Sequence, residues 1–122
     1  MEYFHLYDGE LKFMNIIWDN EPLPSRRLVE LCGELLGWKQ STTYTVLKKL
    51  SDKGLVQNEK SVVTALIKRH QARRLESEAV VERSFGGSLP SFVAAFVGGR
   101  GLSEEDADEL HRLIDAYREG KK

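Results

Sequence analysis

A helical stretch bracketed by two glycines constrains this chain more than any other feature. Between Gly37 and Gly54, the run from Trp38 to Leu50 puts Thr43, Val46, Leu47 and Leu50 on one side, at the spacing of a face packed on a core. Ser41, Thr45 and Lys48 fall on the opposite side, with Thr42, Tyr44 and Lys49 flanking them. That outer face is short, hydroxyl-rich and basic. Small hydroxyls let a helix come close to a surface and exchange hydrogen bonds with it, and neighbouring lysines suit a phosphate backbone. Three β-branched threonines make a poor helix on propensity alone, so something other than propensity placed them there. An ordinary amphipathic surface helix has the same apolar stripe, and the flanking segments decide between the two.

Upstream, Leu28, Leu31, Cys32 and Leu35 match the i, i+3, i+4, i+7 template of a helix that Ser25 caps and Gly37 ends. Cys32 on that face reads as a small buried apolar residue. Gly54 ends the next helix in the same way, and two helices joined by a tight glycine turn are the signature of a helix-turn-helix. Beyond Gly54 the period changes. Leu55–Asn58 and Val62–Ile67 have strand composition, and Glu59-Lys60-Ser61 makes a polar tip between them. This is a hairpin placed as a wing. Lys60 at its tip is either a phosphate contact or a solvated turn residue. Lys68 and Arg69 follow it.

The start of the chain supplies the remaining core helix. Tyr3-Phe4-His5-Leu6-Tyr7 is an aromatic lead-in, Asp8 reads as an N-cap, and Glu10 lies in the first turn where the helix dipole favours a carboxylate. From Gly9 to about Asp19, Leu11, Met14, Ile17 and Trp18 fall on one side, with Phe13 and Ile16 beside them. Pro22 and Pro24 exclude helix from the connector that follows, where Leu23 is a candidate short strand.

Residues 71–122 are too poor in apolar side chains to enclose a core of their own. Gln71–Phe85 is a charged helix with sparse apolar positions, among them Leu75. Ser88 caps a short helix striped by Leu89, Phe92, Val93 and Phe96, with Pro90 tolerated in its first turn. Gly98-Gly99-Arg100-Gly101 breaks the chain. Ser103 and Asp106 resemble a capping box for a last helix striped by Ala107, Leu110, Leu113, Ile114 and Tyr117. Such stripes need a partner surface, and a second copy of the chain is the simplest one. Leu75, Phe85, Leu89, Phe92, Val93, Phe96, Leu110, Leu113, Ile114 and Tyr117 are the expected dimerisation residues. The expected fold is mainly α with a small β-hairpin wing. A winged helix-turn-helix DNA-binding domain spans residues 1–70, and a three-helix dimerisation arm spans residues 71–122.

Charge is informative only when resolved along the chain. The 18 basic and 19 acidic side chains nearly cancel. Residues 1–37 hold 3 basic and 7 acidic groups, residues 39–74 hold 9 and 2, and residues 75–122 hold 6 and 10. A basic middle of net +7 between two acidic flanks of −4 each is a local footprint for a polyanion. The single cysteine excludes an internal disulfide and a cysteine-only metal site. His5, His70 and His111 are far apart in sequence, and no phosphate-binding glycine loop is present, so no catalytic residue, metal ligand or cofactor is expected. Without a long apolar run or signal sequence, the expectation is a soluble, cytoplasmic protein that does not insert into a membrane.

Taken in order, several pieces resemble the penicillinase repressor family, the BlaI/MecI/CopY transcriptional regulators. They are Asp8-Gly9-Glu10-Leu11 through Met14-Asn15-Ile16-Ile17-Trp18; Trp38 with Ser41-Thr42-Thr43 and Leu47-Lys48-Lys49-Leu50; Lys53-Gly54-Leu55-Val56; Phe85-Gly86-Gly87-Ser88-Leu89; and Leu102-Ser103-Glu104-Glu105 through Glu109-Leu110 and Leu113-Ile114. The resemblance implies operator binding as a homodimer. In the β-lactam-responsive branch it also implies a membrane-bound zinc-protease sensor that leads to cleavage within the Phe92–Phe96 helix. The bond matching the family's Asn-Phe cleavage site is Ala95-Phe96. The cysteine-rich end of copper-sensing members is matched by Tyr117-Arg118-Glu119-Gly120-Lys121-Lys122, so copper sensing through that motif is not expected. Thr64-Ala65-Leu66-Ile67 replaces a strand that is often aromatic, and Tyr44 stands where relatives often carry a basic residue.

The expected function is a repressor that binds a palindromic double-stranded operator as a homodimer and is released by proteolysis downstream of a membrane sensor. Ser41, Tyr44 and Thr45 are assigned to base edges, and Thr42, Lys48, Lys49 and Lys60 to phosphates. The alternative is a winged helix used only for protein contacts, in which the same hydroxyl face meets a protein.

Overall fold

The structure, a computed structural model, describes residues 3–120, with side chains through residue 118. Lys121 and Lys122, part of the segment compared with the copper-sensing motif, lie outside the described residues. The elements are α1 (Asp8–Asn20), β1 (Leu23–Pro24), α2 (Ser25–Leu36), α3 (Gln40–Asp52), β2 (Val56–Glu59), β3 (Val62–Ala65), α4 (Arg69–Phe85), α5 (Leu89–Val97) and α6 (Glu104–Gly120). Among the described residues, six helices and a small antiparallel sheet in strand order β1-β3-β2 make a winged helix followed by a helical C-terminal arm. Among the described residues no helix is long and apolar enough to cross a membrane. By contacts the chain divides into two compact units, one ending at Val80 and the other beginning at Val81.

One core holds the first unit together. Phe13, Met14 and Ile17 of α1 meet Leu28 and Cys32 of α2, Thr43 and Leu50 of α3, Val56 of β2 and Val63 of β3, all essentially without solvent exposure. The buried face of α1 is rotated from the expected stripe. Phe13 and Ile16 are buried, whereas Leu11 is exposed. The rotation follows from what α1 packs on, since α2 and β3 both press on the Phe13–Ile17 side. The helix starts also move. Asp8 is the first residue of α1 rather than its cap, and Tyr7 takes the cap position. Ser25 is likewise the first residue of α2, buried rather than capping. Its N–H donates to Ser61 O at 2.9 Å, which ties the start of α2 to the hairpin turn.

The two bracketing glycines behave as the sequence implies. Gly37 has φ 72 and ends α2, and the chain reaches α3 through Trp38, whose ring stacks on Phe13 at a centroid distance of 5.9 Å. Trp38 therefore precedes α3 instead of opening it. At the other end Gly54 has φ 79; its N–H reaches Ser51 O at 2.9 Å and the Leu55 N–H reaches Leu50 O at 3.0 Å. That pair of bonds is a complete Schellman stop, and it turns the chain from α3 directly into β2.

In the hairpin, Glu59 pairs with Val62, so the tip is only Lys60 and Ser61, with φ of 53 and 65. Positive φ at both central residues is the geometry of a type I′ turn, whose twist matches that of the flanking strands. β3 stops at Ala65, short of the expected Ile67. The Leu66 and Ile67 N–H groups both turn to Leu55 O, at 2.9 and 3.3 Å, which takes them out of the ladder. Ile67 O in turn accepts the Trp18 indole N–H at 2.9 Å.

α4 starts at Arg69, because Gln71 Oε1 accepts the Lys68 N–H at 2.8 Å and closes half of a capping box two residues earlier than expected. Its first part belongs to the first unit. Arg69 pairs with Asp19 at 2.7 Å and lies over the Trp18 ring, Ala72 is buried, and Glu76 Oε2 accepts the Leu6 N–H at 2.7 Å. The two compact units thus divide within α4, between Val80 and Val81.

The second unit contains no buried residue among those described. Ser88 Oγ accepts the Ser91 N–H at 3.1 Å to cap α5, and Ser103 Oγ accepts the Asp106 N–H at 3.0 Å to cap α6. Phe85 meets Phe92 edge-on at 5.5 Å, Phe92 lies 6.2 Å from Phe96, and the Arg100 guanidinium covers Phe96 at 4.7 Å. Even so, Leu89, Phe96, Ile114 and Tyr117 remain 59, 55, 57 and 75 % exposed.

Candidate nucleic-acid interface

α3 is held by its apolar side and free on the other. Thr43, Leu47 and Leu50 are buried and Val46 is half-buried, while Ser41, Thr42, Tyr44, Thr45, Lys48 and Lys49 are all exposed. The Thr43 hydroxyl, the one threonine group turned inward, donates back to Lys39 O at 3.3 Å, which satisfies it without leaving the helix. Burial of Thr43, Leu47 and Leu50 thus supplies what propensity does not. Tyr44, Thr45, Lys48, Lys49, Asp52 and Lys53 line a shallow depression of about 600 Å³ on the outer side. Lys60 is exposed in the hairpin turn.

The two adjacent lysines of α3 differ in kind. Lys48 meets Asp52 at 3.3 Å with both side chains mostly exposed. Such a pair is worth only about 0.3–0.5 kcal/mol and yields to a stronger anion. Lys49 meets Glu10 at 2.7 Å, and the Glu10 carboxylate is 8 % exposed. Burial pushes the Glu10 carboxyl up, but the Lys49 ammonium, the Tyr7 N–H and the positive charges of Lys49 and Lys53 outweigh it and hold the pKa below its ordinary value. The same contact raises the pKa of Lys49, first through the hydrogen bond and then through the carboxylate charge. Because the Glu10 pKa is lower folded than unfolded, the stability this pair gives is present at neutral pH and is lost as the pH falls through the lowered value. Lys49, expected from the sequence to hold a phosphate, thus forms an ion pair within the protein while its side chain stays half exposed.

Lys53 was not singled out in the sequence. It caps the C-terminal end of α3, is exposed, lines the same depression, and meets no carboxylate within ion-pair distance among the described residues. Continuing the helical wheel past Leu50 would have found it. Cys32 is buried and free, and burial pushes its thiol up against a smaller opposing effect of Thr43, so it stays a neutral packing group.

The residues expected to dimerise are only partly gathered. Phe85, Phe92 and Phe96 form a ring cluster; Leu89 and Val93 stand exposed on α5, and Leu110, Leu113, Ile114 and Tyr117 stand exposed on α6. Leu75 lies on the part of α4 that belongs to the first unit. Ala95 and Phe96 are both exposed, within α5.

Comparison with known proteins agrees with this geometry. The chain is 26 % identical over 119 residues to a penicillinase repressor of Bacillus licheniformis, an alignment covering 94 % of this chain and 93 % of the relative. It is 22 % identical over 116 residues to the methicillin resistance regulatory protein MecI of Staphylococcus aureus, covering 92 % and 94 %. It is 27 % identical over 112 residues to an uncharacterized 16.5 kDa protein of Latilactobacillus sakei, covering 88 % and 77 %. The profile of the penicillinase repressor family matches residues 7–116, from the start of α1 through most of α6, and with the winged helix in place the chain belongs to that family of transcriptional repressors.

Proposed function

We propose that this protein represses transcription by binding a roughly palindromic duplex operator as a homodimer. The observation that carries this is the outer face of α3, where hydroxyls and lysines stand exposed on a helix fixed by its buried side. Ser41, Tyr44 and Thr45 face base edges in the major groove, and Thr42, Lys48 and Lys60 hold phosphates. The open stripes of α5 and α6 are covered by a second copy of the chain, and two α3 helices then read half-sites about one helical turn, or a multiple of it, apart. Cutting at the exposed Ala95-Phe96 bond, downstream of a membrane metalloprotease sensor, removes Phe96 and all of α6 and thereby loosens the dimer.

The test is a titration of duplex DNA from upstream of the protein's own gene at several salt concentrations. Replacing Lys48 by Ala should weaken binding to specific and scrambled duplexes alike and lower the salt slope by about one unit. Binding insensitive to the duplex, to salt and to Lys48→Ala would instead favour a face that docks protein.

A further inference from the structure

We propose that Glu10 is a positioning residue of the DNA-reading surface, holding the Lys49 ammonium against α1 so that Lys49 braces α3 while Lys48 and Lys53 neutralise phosphates. The proposal rests on α3 being the DNA-reading helix, and three features of the contact support it. The first is the fixed direction of the carboxylate. Glu10 is the third residue of α1, and its Oε1 accepts the Tyr7 N–H at 3.0 Å, so Oε2 is aimed at α3. The second is exclusivity. Oε2 is buried and, among the described residues, accepts no well-directed hydrogen bond, so the Lys49 Nζ at 2.7 Å is its one counter-charge there. If Lys49, whose own side chain is 51 % exposed, swung out to a phosphate, it would leave a buried carboxylate oxygen without its counter-charge, which release of the exposed Lys48–Asp52 pair would not do. The third is the seat of the ammonium, which also lies over the Tyr7 ring at 5.8 Å and is thereby held from two sides by the segment entering α1.

The neighbouring lysines are under no such restraint. Lys48 has only the exposed Asp52, and Lys53 meets no carboxylate within ion-pair distance among the described residues. Of the three lysines lining the depression on α3, two are thus available to a polyanion and one is not. A helix that must lie at a fixed depth in a groove gains from this division. Lys49 sets the angle of α3 against α1, and charge on the groove side comes from residues that can move.

The experiment measures the salt dependence of binding by the full-length protein to duplex from upstream of its own gene. Wild type is compared with Lys49→Ala, Lys53→Ala, Glu10→Gln and the double variant Glu10→Gln/Lys49→Ala. Each phosphate contact contributes close to one unit of slope. Lys53→Ala should lower the slope by about one, and Lys49→Ala should leave it unchanged. Glu10→Gln, which keeps the shape and removes the charge, should release Lys49 and steepen the slope by about one. The double variant should return it to the wild-type value. A brace without electrostatic sequestration would change affinity but not this pattern of slopes. Should Lys49→Ala alone be too unstable to assay, the step between Glu10→Gln and the double variant still reads the released charge. A wild-type slope for Glu10→Gln, or a loss of one unit in Lys49→Ala, overturns the proposal while leaving α3 as the DNA helix. Wild-type binding without salt dependence overturns the DNA reading and this inference with it.

Discussion

A chain ended after Val80 should be monomeric and should bind operator DNA about 10²–10⁴-fold more weakly than the full-length protein, because linking two reading modules supplies an effective concentration that a single module lacks. The cut is placed where the first unit ends, so it preserves the Arg69–Asp19 pair, buried Ala72 and the Glu76 contact to Leu6. A cut near Ile67 would remove those contacts and confuse unfolding with loss of the dimer. What is deleted, from Val81 onward, has no buried side chain among its described residues and carries the open Leu89, Phe96, Ile114 and Tyr117. A chain ended after Ala95 imitates the proposed cleavage and should fall between the two in dimer affinity. Sedimentation velocity at micromolar concentration, paired with anisotropy titrations, measures both quantities. A monomeric full-length protein, or a dimer that survives truncation after Val80, would contradict the assignment of the arm.

Replacing Leu50 by Ala should destabilise the first unit by about 2–5 kcal/mol, the range for a large-to-small change at a site that cannot collapse. Leu50 is fully buried among side chains from α1, α2 and the hairpin, and its carbonyl accepts the Leu55 N–H that closes the stop after α3. The backbone bond survives the substitution, so the loss is one of packing. Urea unfolding should show a lower midpoint with an unchanged slope. A loss under about 1 kcal/mol would mean that the core does not close over α3. The contrast with Thr45 is the useful one. That residue lies on the same helix but faces out, and its replacement should leave stability within about 0.5 kcal/mol.

The winged helix was legible because its signals are local. Helical spacing on α3, the glycines at 37 and 54, and the change to strand composition after Gly54 all act within a few residues. Errors arose where a distant partner decided. Leu11 matches an apolar stripe by period, but α2 and β3 press on the neighbouring face, so Phe13 and Ile16 are inside and Leu11 is not. Asp8 and Ser25 have the chemistry of caps, but the helices begin at those residues, and the Ser25 N–H is taken by Ser61, far along the chain. On the candidate interface, the exposed face of α3 followed from the wheel. The Lys49–Glu10 pair did not, because Glu10 lies 39 positions earlier in the chain and only folding brings the two together.

Base reading by α3, as proposed, should show in the ratio of specific to scrambled duplex affinity for Thr45→Ala. Thr45 is exposed in the middle of the outer face and engages no other side chain in a hydrogen bond among the described residues. Its loss should cost about 1–3 kcal/mol on the specific duplex, leave the scrambled duplex almost unaffected and keep the salt slope unchanged. If the affinities for both duplexes stay at wild-type values, and Lys48→Ala is silent as well, α3 is not the reading helix and the DNA face lies elsewhere.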